Sequence, residues 1–262
     1  MLRAFSTAAT GMAAQQMMVD VTANNLANIN TNGFKRSQLD FQDLLYVKMV
    51  ESGNEVSSGI TSPGGIEVGS GVRAASTVKV FTNGEMVNTG RNLDVAIAGD
   101  GFLQVSMPDG STKYTRDGAL RTGPDGRLVT TTGYVLSPAI SIPTDAVAVN
   151  IEKDGGVNVT TGSGSQSVVG TIQLARFPNP SGLSSEGENL LAESEASGSP
   201  TTGAAGENGF GSIQSGFLEK SNVQMVTELV NLITAQRAYE VNSRAIKAGD
   251  DLLQKAIEIA RF

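Results

Sequence analysis

The chain has 262 residues, 39% of them hydrophobic, and 19 basic against 26 acidic side chains leave a net charge of −7. A core of Val, Leu, Ile and Ala is possible, but the acidic balance argues against a nucleic-acid binder and offers no polybasic handle for an anionic membrane. With neither Cys nor His present, disulfides, thiolate metal sites, a Cys nucleophile and the usual near-neutral general base are excluded.

The N-terminal stretch contains no run of about 18 apolar residues. It is broken by Ser6, Thr7 and Gln15, so it does not read as a cleaved signal peptide. Leu2, Phe5, Ala9, Met12, Gln16, Val19, Ala23 and Leu26 follow a 3-4 spacing, which predicts a helix with a coiled-coil-like seam. Its end is expected near Asn30-Thr31-Asn32-Gly33, because Asn and Gly tolerate the left-handed conformation of a C-cap. Asn24, Asn25, Asn28, Asn30 and Asn32 crowd this end. They read either as capping amides of a frayed terminus or as amides that bond between packed helices and set their register.

Glu51 to Gly71 is rich in Gly and Ser and reads as an extended linker segment. A long loop of this kind is unusual inside a compact domain, so it is expected to meet something outside its own chain. From Val72 onward the pattern is β. Alternating runs around Val72–Val80, Leu93–Ile97, Phe102–Val105, Leu128–Val129, Tyr134–Leu136, Ala146–Ile151, Val157–Val159 and Val168–Leu174 are separated by Asp-Gly and Pro-Asp-Gly turns. That arrangement predicts an antiparallel sandwich or barrel. Gly182 to Gly216, rich in Gly, Ser and Glu, reads as a second linker.

The C-terminal stretch repeats the helical spacing at Met225, Leu229, Leu232, Gln236, Tyr239, Ser243, Ile246, Asp250, Leu253, Ile257 and Ala260. Ser221 or Asn222 is the expected N-cap. A helix from there to Ile259 measures roughly 58 Å at about 1.5 Å per residue. Its natural partners are the N-terminal helix and further copies of itself. The fold class is thus α+β. Residues 1–45 and 217–262 form a discontinuous helical polymerisation domain, 46–71 an extended segment and 72–216 a central β domain.

Catalytic constellations are missing. Asp94, Asp100, Asp109, Asp117 and Asp125 could pair as acid and base in a glycosidase-like site, but Asp before Gly most often makes a turn. Neither an EF-hand nor a glycine-rich nonapeptide repeat is present, and Gly206, Gly209 and Gly211 lack the Lys-Ser/Thr of a phosphate loop. No cofactor is expected.

Two longer strings are more specific. ANNLANINTNGFKR, residues 23–36, resembles the N-terminal signature of the flagellar basal-body rod and hook family. SNVQMVTELVNLITAQRAYEVNSRAIKAGDDLLQKAIEI, residues 221–259, resembles that family's C-terminal signature. GDGFLQV at 99–105 and YTRDGAL at 114–120 are similar to its shared β domain. Chain length, the GSIQSGFLEKSNV lead-in and the AQRAYEVNS stretch place the chain nearest the distal-rod branch, with hook and proximal rod as alternatives.

The resemblance implies a non-enzymatic structural subunit of a rigid, hollow helical shaft crossing the periplasm, exported without a cleaved signal. The implied partners are copies of itself, proximal rod proteins, the hook protein, the surrounding ring proteins and the flagellar export apparatus. Subunit packing is expected through Leu2, Phe5, Met12, Val19, Leu26, Asn24, Asn25, Asn28, Leu229, Leu232, Tyr239, Ile246, Leu253 and Ile257. Gln236, Ser243 and Asp250 read as register or lumen-side polar breaks. Stiffening of the rod is expected from the segment carrying Glu51, Ile60, Pro63, Ile66 and Val68. A secreted carbohydrate-active or binding module with helical assembly tags is the reading from a different class. The terminal seams, which a monomeric module does not need, separate the two.

Overall fold

The computed structural model describes residues 2–51, 55–57, 60–61, 64–162 and 164–260. The fold is α+β, with a helix at each end and an antiparallel β region between them. The chain divides into two compact units. The first gathers Met1–Leu26, Ser37–Val78 and Met225–Phe262; the second gathers Ala27–Arg36 and Lys79–Gln224.

In the first unit, α1 spans Leu2–Ala27 and α2 spans Met225–Ala260. Both lack Pro, and each holds a single Gly, so nothing interrupts the helical ladder. α1 stops earlier than expected: the backbone turns at Asn28, whose carbonyl accepts the Thr31 amide at 3.2 Å. α2 also starts later than expected. Asn222 is engaged with Arg36, Val80 and Thr82 instead of capping the helix, and the Ser221 hydroxyl accepts the Val223 amide at 3.3 Å.

Between the helices lies a β ribbon. Strands β1 (Ser37–Asp43), β2 (Val47–Val50), β3 (Glu55–Ser57), β4 (Ile60–Thr61), β5 (Ile66–Val68) and β6 (Val72–Lys79) pair as β1 with β6, β2 with β5 and β3 with β4. The nesting makes one long hairpin out of the segment that the sequence reads as an extended linker. Val47 faces Val68 and Lys48 faces Glu67 across the β2–β5 pair. A two-stranded ribbon is marginal by itself in water, and this one leaves Tyr46, Met49, Val50 and Ile66 exposed.

The second unit is mainly β, with one short 3-10 turn at Pro180–Gly182 among the described residues. Its largest sheet has nine strands around the central Phe102–Ser106, flanked by Thr112–Thr115 on one side and by Val135–Ser137 and Gln173–Arg176 on the other. Ala146–Ile151, Gly156–Thr161 and Gln166–Thr171 form a three-stranded meander. Val95–Ala98 pairs with Ser212–Ser215, and Met86–Asn88 with Phe217–Glu219. Leu103, Leu120, Leu128, Leu136, Ile172, Leu174 and Ile213 are fully buried in one core. A satellite cluster stacks Phe102, Tyr114 and Phe177 edge to face, with ring centroids 4.7 and 5.9 Å apart, a preferred aromatic geometry.

The second expected linker is not a linker. Gly182 to Gly216 carries the strands Ser184–Gly187, Leu190–Ala192, Thr201–Ala204 and Ser212–Ser215. Leu183, Leu190, Leu191, Ala192, Ala205 and Phe210 from this stretch are buried. Strands of three or four residues leave too few apolar positions to stand out against abundant Gly and Ser, yet every Leu, Ile and Phe of the stretch is buried. Of the Asp residues considered as acids, Asp94 is buried, with its Oδ2 accepting from the Thr89 hydroxyl at 2.7 Å and its Oδ1 3.6 Å from Arg91, and two others shape turns. Asp109 Oδ1 accepts the Ser111 amide at 2.8 Å, and Asp117 Oδ1 accepts the Ala119 amide at 3.1 Å.

Candidate assembly surface

The two helices pair antiparallel. A Cβ placed on Gly249 would lie 2.8 Å from the Phe5 ring, one on Gly11 would lie 2.9 Å from Asn242 Nδ2, and Asn25 Nδ2 is 3.4 Å from Glu228 Oε2. Partner positions therefore fall along α2 as they rise along α1. The inward line is built from small and polar residues. Ala14, Thr22, Asn25, Glu228 and Ala235 are buried, and the two glycines admit the bulk opposite them. Asn25 ties this line to the ribbon. Its Nδ2 donates to the Ser37 carbonyl at 2.8 Å, and its Oδ1 accepts the Ser37 amide at 2.8 Å. The side chain thus completes the β1 backbone as another strand would.

The expected seam residues lie to one side of this line. Phe5, Met12, Val19 and Leu26, a strict seven-residue repeat, are half-buried, while Ala9, Gln16 and Ala23 are exposed. Leu2 belongs to α1, but its side chain lies outside the described residues. On α2, Leu232, Ile246 and Leu253 are half-buried, whereas Leu229, Tyr239 and Ile257 are exposed. Of the Asn cluster, Asn24 is exposed and Asn28 half-buried, with Asn28 Oδ1 accepting from the Thr31 hydroxyl at 3.1 Å. In the ribbon, Glu51, Ile66 and Val68 are exposed. The Ile60 side chain and the whole of Pro63 lie outside the described residues.

The seam reading misses a second apolar stripe on α2. Val226, Val230, Ile233 and Val241 are 75%, 56%, 48% and 61% exposed. At about 100° per residue they lie roughly opposite Glu228, Ala235 and Asn242, which face α1. The face of α2 turned away from α1 is therefore apolar over the first half of the helix, and an exposed apolar stripe of this kind marks an interaction surface. Covering these side chains is worth about 4–7 kcal/mol per subunit, at about 1.5–3 kcal/mol for a fully buried Val or Ile. The last turns of α2 add exposed Leu252, Ile257 and Ile259.

In the second unit the motif residues form a buried ion cluster. Lys35 Nζ sits 2.5 Å from Glu219 Oε1 and donates to the Thr82 carbonyl at 2.7 Å. Glu219 Oε1 also accepts the Gly84 amide at 2.8 Å, and Glu219 Oε2 faces Arg116 Nε at 3.3 Å. The Arg116 guanidinium donates to the Gly99 and Gly101 carbonyls and to Asn83 Oδ1 at 2.8–2.9 Å. Burial pushes both Lys35 and Arg116 below their ordinary values, and the Glu219 carboxylate opposes that shift. Sequence reading passed over all three residues. The available signal was a Lys and a Glu inside motifs at opposite ends of the chain.

Three family descriptions match consecutive parts of this architecture. "Flagella basal body rod protein" matches residues 5–35, "Flagellar hook protein FlgE/F/G D1 domain" matches 96–159, and "Flagellar basal body rod FlgEFG protein C-terminal" matches 214–259. The flagellar basal-body rod protein FlgG of Buchnera aphidicola subsp. Schizaphis graminum is 46% identical over 251 residues, covering 95% of this chain and 96% of its own. FlgG of Caulobacter vibrioides is 45% identical over 260 residues, covering 98% and 99%. The chain belongs to the flagellar basal-body rod protein family. The flagellar hook-basal body complex protein FlhP of Bacillus subtilis is more distant, at 33% identity over 268 residues and 97% of each chain. Each matched region contributes one residue to the buried cluster: Lys35 from the first, Arg116 from the second and Glu219 from the third.

Proposed function

We propose that this rod-family chain acts by assembly and not by catalysis, as a structural subunit of the distal rod of the flagellar basal body. Copies pack through the outer faces of α1 and α2 into a rigid hollow shaft that transmits torque and conducts exported proteins. The observation that carries this reading is the uncovered apolar stripe Val226, Val230, Ile233 and Val241, on the face of α2 turned away from α1. Contacts that repeat without closing generate a helical polymer. The Phe5 ring packs against Gly249 within the chain, while the seam residues Met12, Val19, Leu26, Leu229, Tyr239, Leu253 and Ile257 flank the intrachain contact and are proposed to meet neighbouring copies.

The ribbon adds a second contact. Ile66 and Val68 present exposed apolar surface on the ribbon. In this proposal residues 51–71 pack against adjacent subunits and restrict their sliding, which stiffens the shaft. Proximal rod proteins, the hook protein, the surrounding rings and the export apparatus are the proposed partners. The proposed location is the periplasmic crossing of the flagellum, reached without a cleaved signal. Sedimentation of the purified protein over a concentration series tests the assembly reading. A sharp critical concentration is expected, and a species that stays monomeric up to millimolar concentration counts against it.

A further inference from the structure

The cluster around Glu219 joins three stretches of chain that are far apart in sequence. Lys35 and Glu219 are 184 positions apart, and Arg36 and Asn222 are 186 apart. The N-terminal stretch is held by the Gly33 amide, which donates to the Glu219 carbonyl at 2.8 Å, and by the Arg36 amide, which donates to Asn222 Oδ1 at 2.8 Å. The stretch after Lys79 is held by the Val80 amide donating to the Arg36 carbonyl at 3.0 Å and by the Gly84 amide on Glu219. The C-terminal stretch is held by the Lys220 amide on the Glu85 carbonyl at 2.8 Å and by Asn222 Nδ2 on the Val80 carbonyl at 2.8 Å. Lys35 Nζ and Asn222 Nδ2 converge on one acceptor, the Thr82 carbonyl, at 2.7 and 3.2 Å.

We propose that these residues form a clasp, a conformational device in which residues 33–36, 80–85 and 219–222 open and close as one element, independently of the β core. The physical reason lies in partial opening. The Lys35 and Glu219 side chains are 2% and 1% exposed, so freeing Glu219 alone strands Lys35 and Arg116 as buried cations, and freeing Lys35 alone leaves Glu219 with Arg116 Nε at 3.3 Å in place of two cations. States with one bond broken are thus penalised more than the fully open state, in which water reaches Lys35 and Glu219 while the Arg116 guanidinium keeps its bonds to the Gly99 and Gly101 carbonyls. The clasp needs the chain's N-terminal and C-terminal motifs at once. It therefore closes only when the late-coming Glu219 and Asn222 meet residues placed near the start, which gives two separated signatures one structural purpose.

The test perturbs one end of the network and reads the other. Asn222 is half-buried at its edge and touches neither Gly33 nor Gly84. In the full chain, Asn222→Ala is expected to speed hydrogen exchange at Arg36, which loses its acceptor, by roughly tenfold, the order expected for one lost hydrogen bond. The clasp also requires the Gly33, Gly84 and Lys220 amides to accelerate by the same factor, while amides of the Phe102–Ser106 strand keep their protection. Glu219→Gln, which keeps the shape and removes the charge, is expected to loosen the same set. Acceleration confined to Arg36 would mean independent bonds, and equal acceleration of the Phe102–Ser106 amides would mean global unfolding. Either result overturns the clasp. If Glu219→Gln does not fold, the Asn222→Ala comparison decides alone.

Discussion

Replacing Val230 by Asp tests the outer stripe of α2 with little disturbance to the chain itself. Val230 is 56% exposed and points away from α1. Val and Asp have similar intrinsic helix propensities, and an acid near the start of a helix does not oppose its dipole. The stability of the dilute monomer should therefore change by less than about 0.5 kcal/mol. Assembly responds differently. Covering the exposed half of Val230 contributes about 1 kcal/mol, and an Asp covered without a cation costs several kcal/mol. A combined loss of about 4 kcal/mol raises the critical concentration roughly a thousandfold, whereas Val230→Ala raises it only about fivefold. Sedimentation gives the critical concentration, and thermal melting of the dilute variant confirms that folding is unchanged. If Val230→Asp polymerises at the parent's concentration, the stripe is not covered in the polymer and the reasoning fails.

Leu229→Asp and Leu253→Asp together should abolish assembly and motility while the β unit folds normally; a motile double variant would remove that face from the packing scheme. Gly118→Ala places a Cβ 1.7 Å from the Val95 carbonyl oxygen, so the backbone must move. A loss of about 3 kcal/mol is expected in chemical denaturation, against about 1 kcal/mol for Gly110→Ala, where space is open and only a φ of +85° is strained; equal losses would contradict the close-contact argument. Deleting residues 51–71 should leave export and polymerisation intact but give a curved or compliant rod. Deletion rods as straight as the parent by electron microscopy would reduce the segment to a tether.

The sequence carried the architecture well where one periodicity ruled an element. The 3-4 spacing and the absence of breakers placed both helices, and the Asp-Gly turns divided the β region. Boundaries shifted by a few residues because Asn222 and Gly33 are recruited into tertiary bonds, which local capping preferences do not encode. The Glu51 to Gly71 ribbon was unreadable as strands because its pairs are two to four residues long, and its exposed apolar residues do not alternate against a core. The proposed assembly surface was legible only as one heptad seam, Phe5, Met12, Val19, Leu26 and their counterparts on α2, and that pattern assumes that one helix has one sticky face. Gly11, Ala14, Ala235 and Gly249 make the intrachain contact with small residues that a hydrophobic pattern undercounts. The larger outer residues Val226, Val230, Ile233 and Val241 are thereby left exposed. The ion cluster of Lys35, Arg116 and Glu219 could not be read from spacing, since it is created by contacts across most of the chain.

The central claim is that this chain is a polymer subunit whose terminal helices require neighbours. Electron microscopy of the purified full-length protein, concentrated well above its critical concentration, tests it most directly. Straight hollow tubes, or protofilaments of regular axial repeat, are expected, and they vanish in Val230→Asp. Dispersed particles of monomer size at every concentration, or tubes that persist unchanged in that variant, would contradict it.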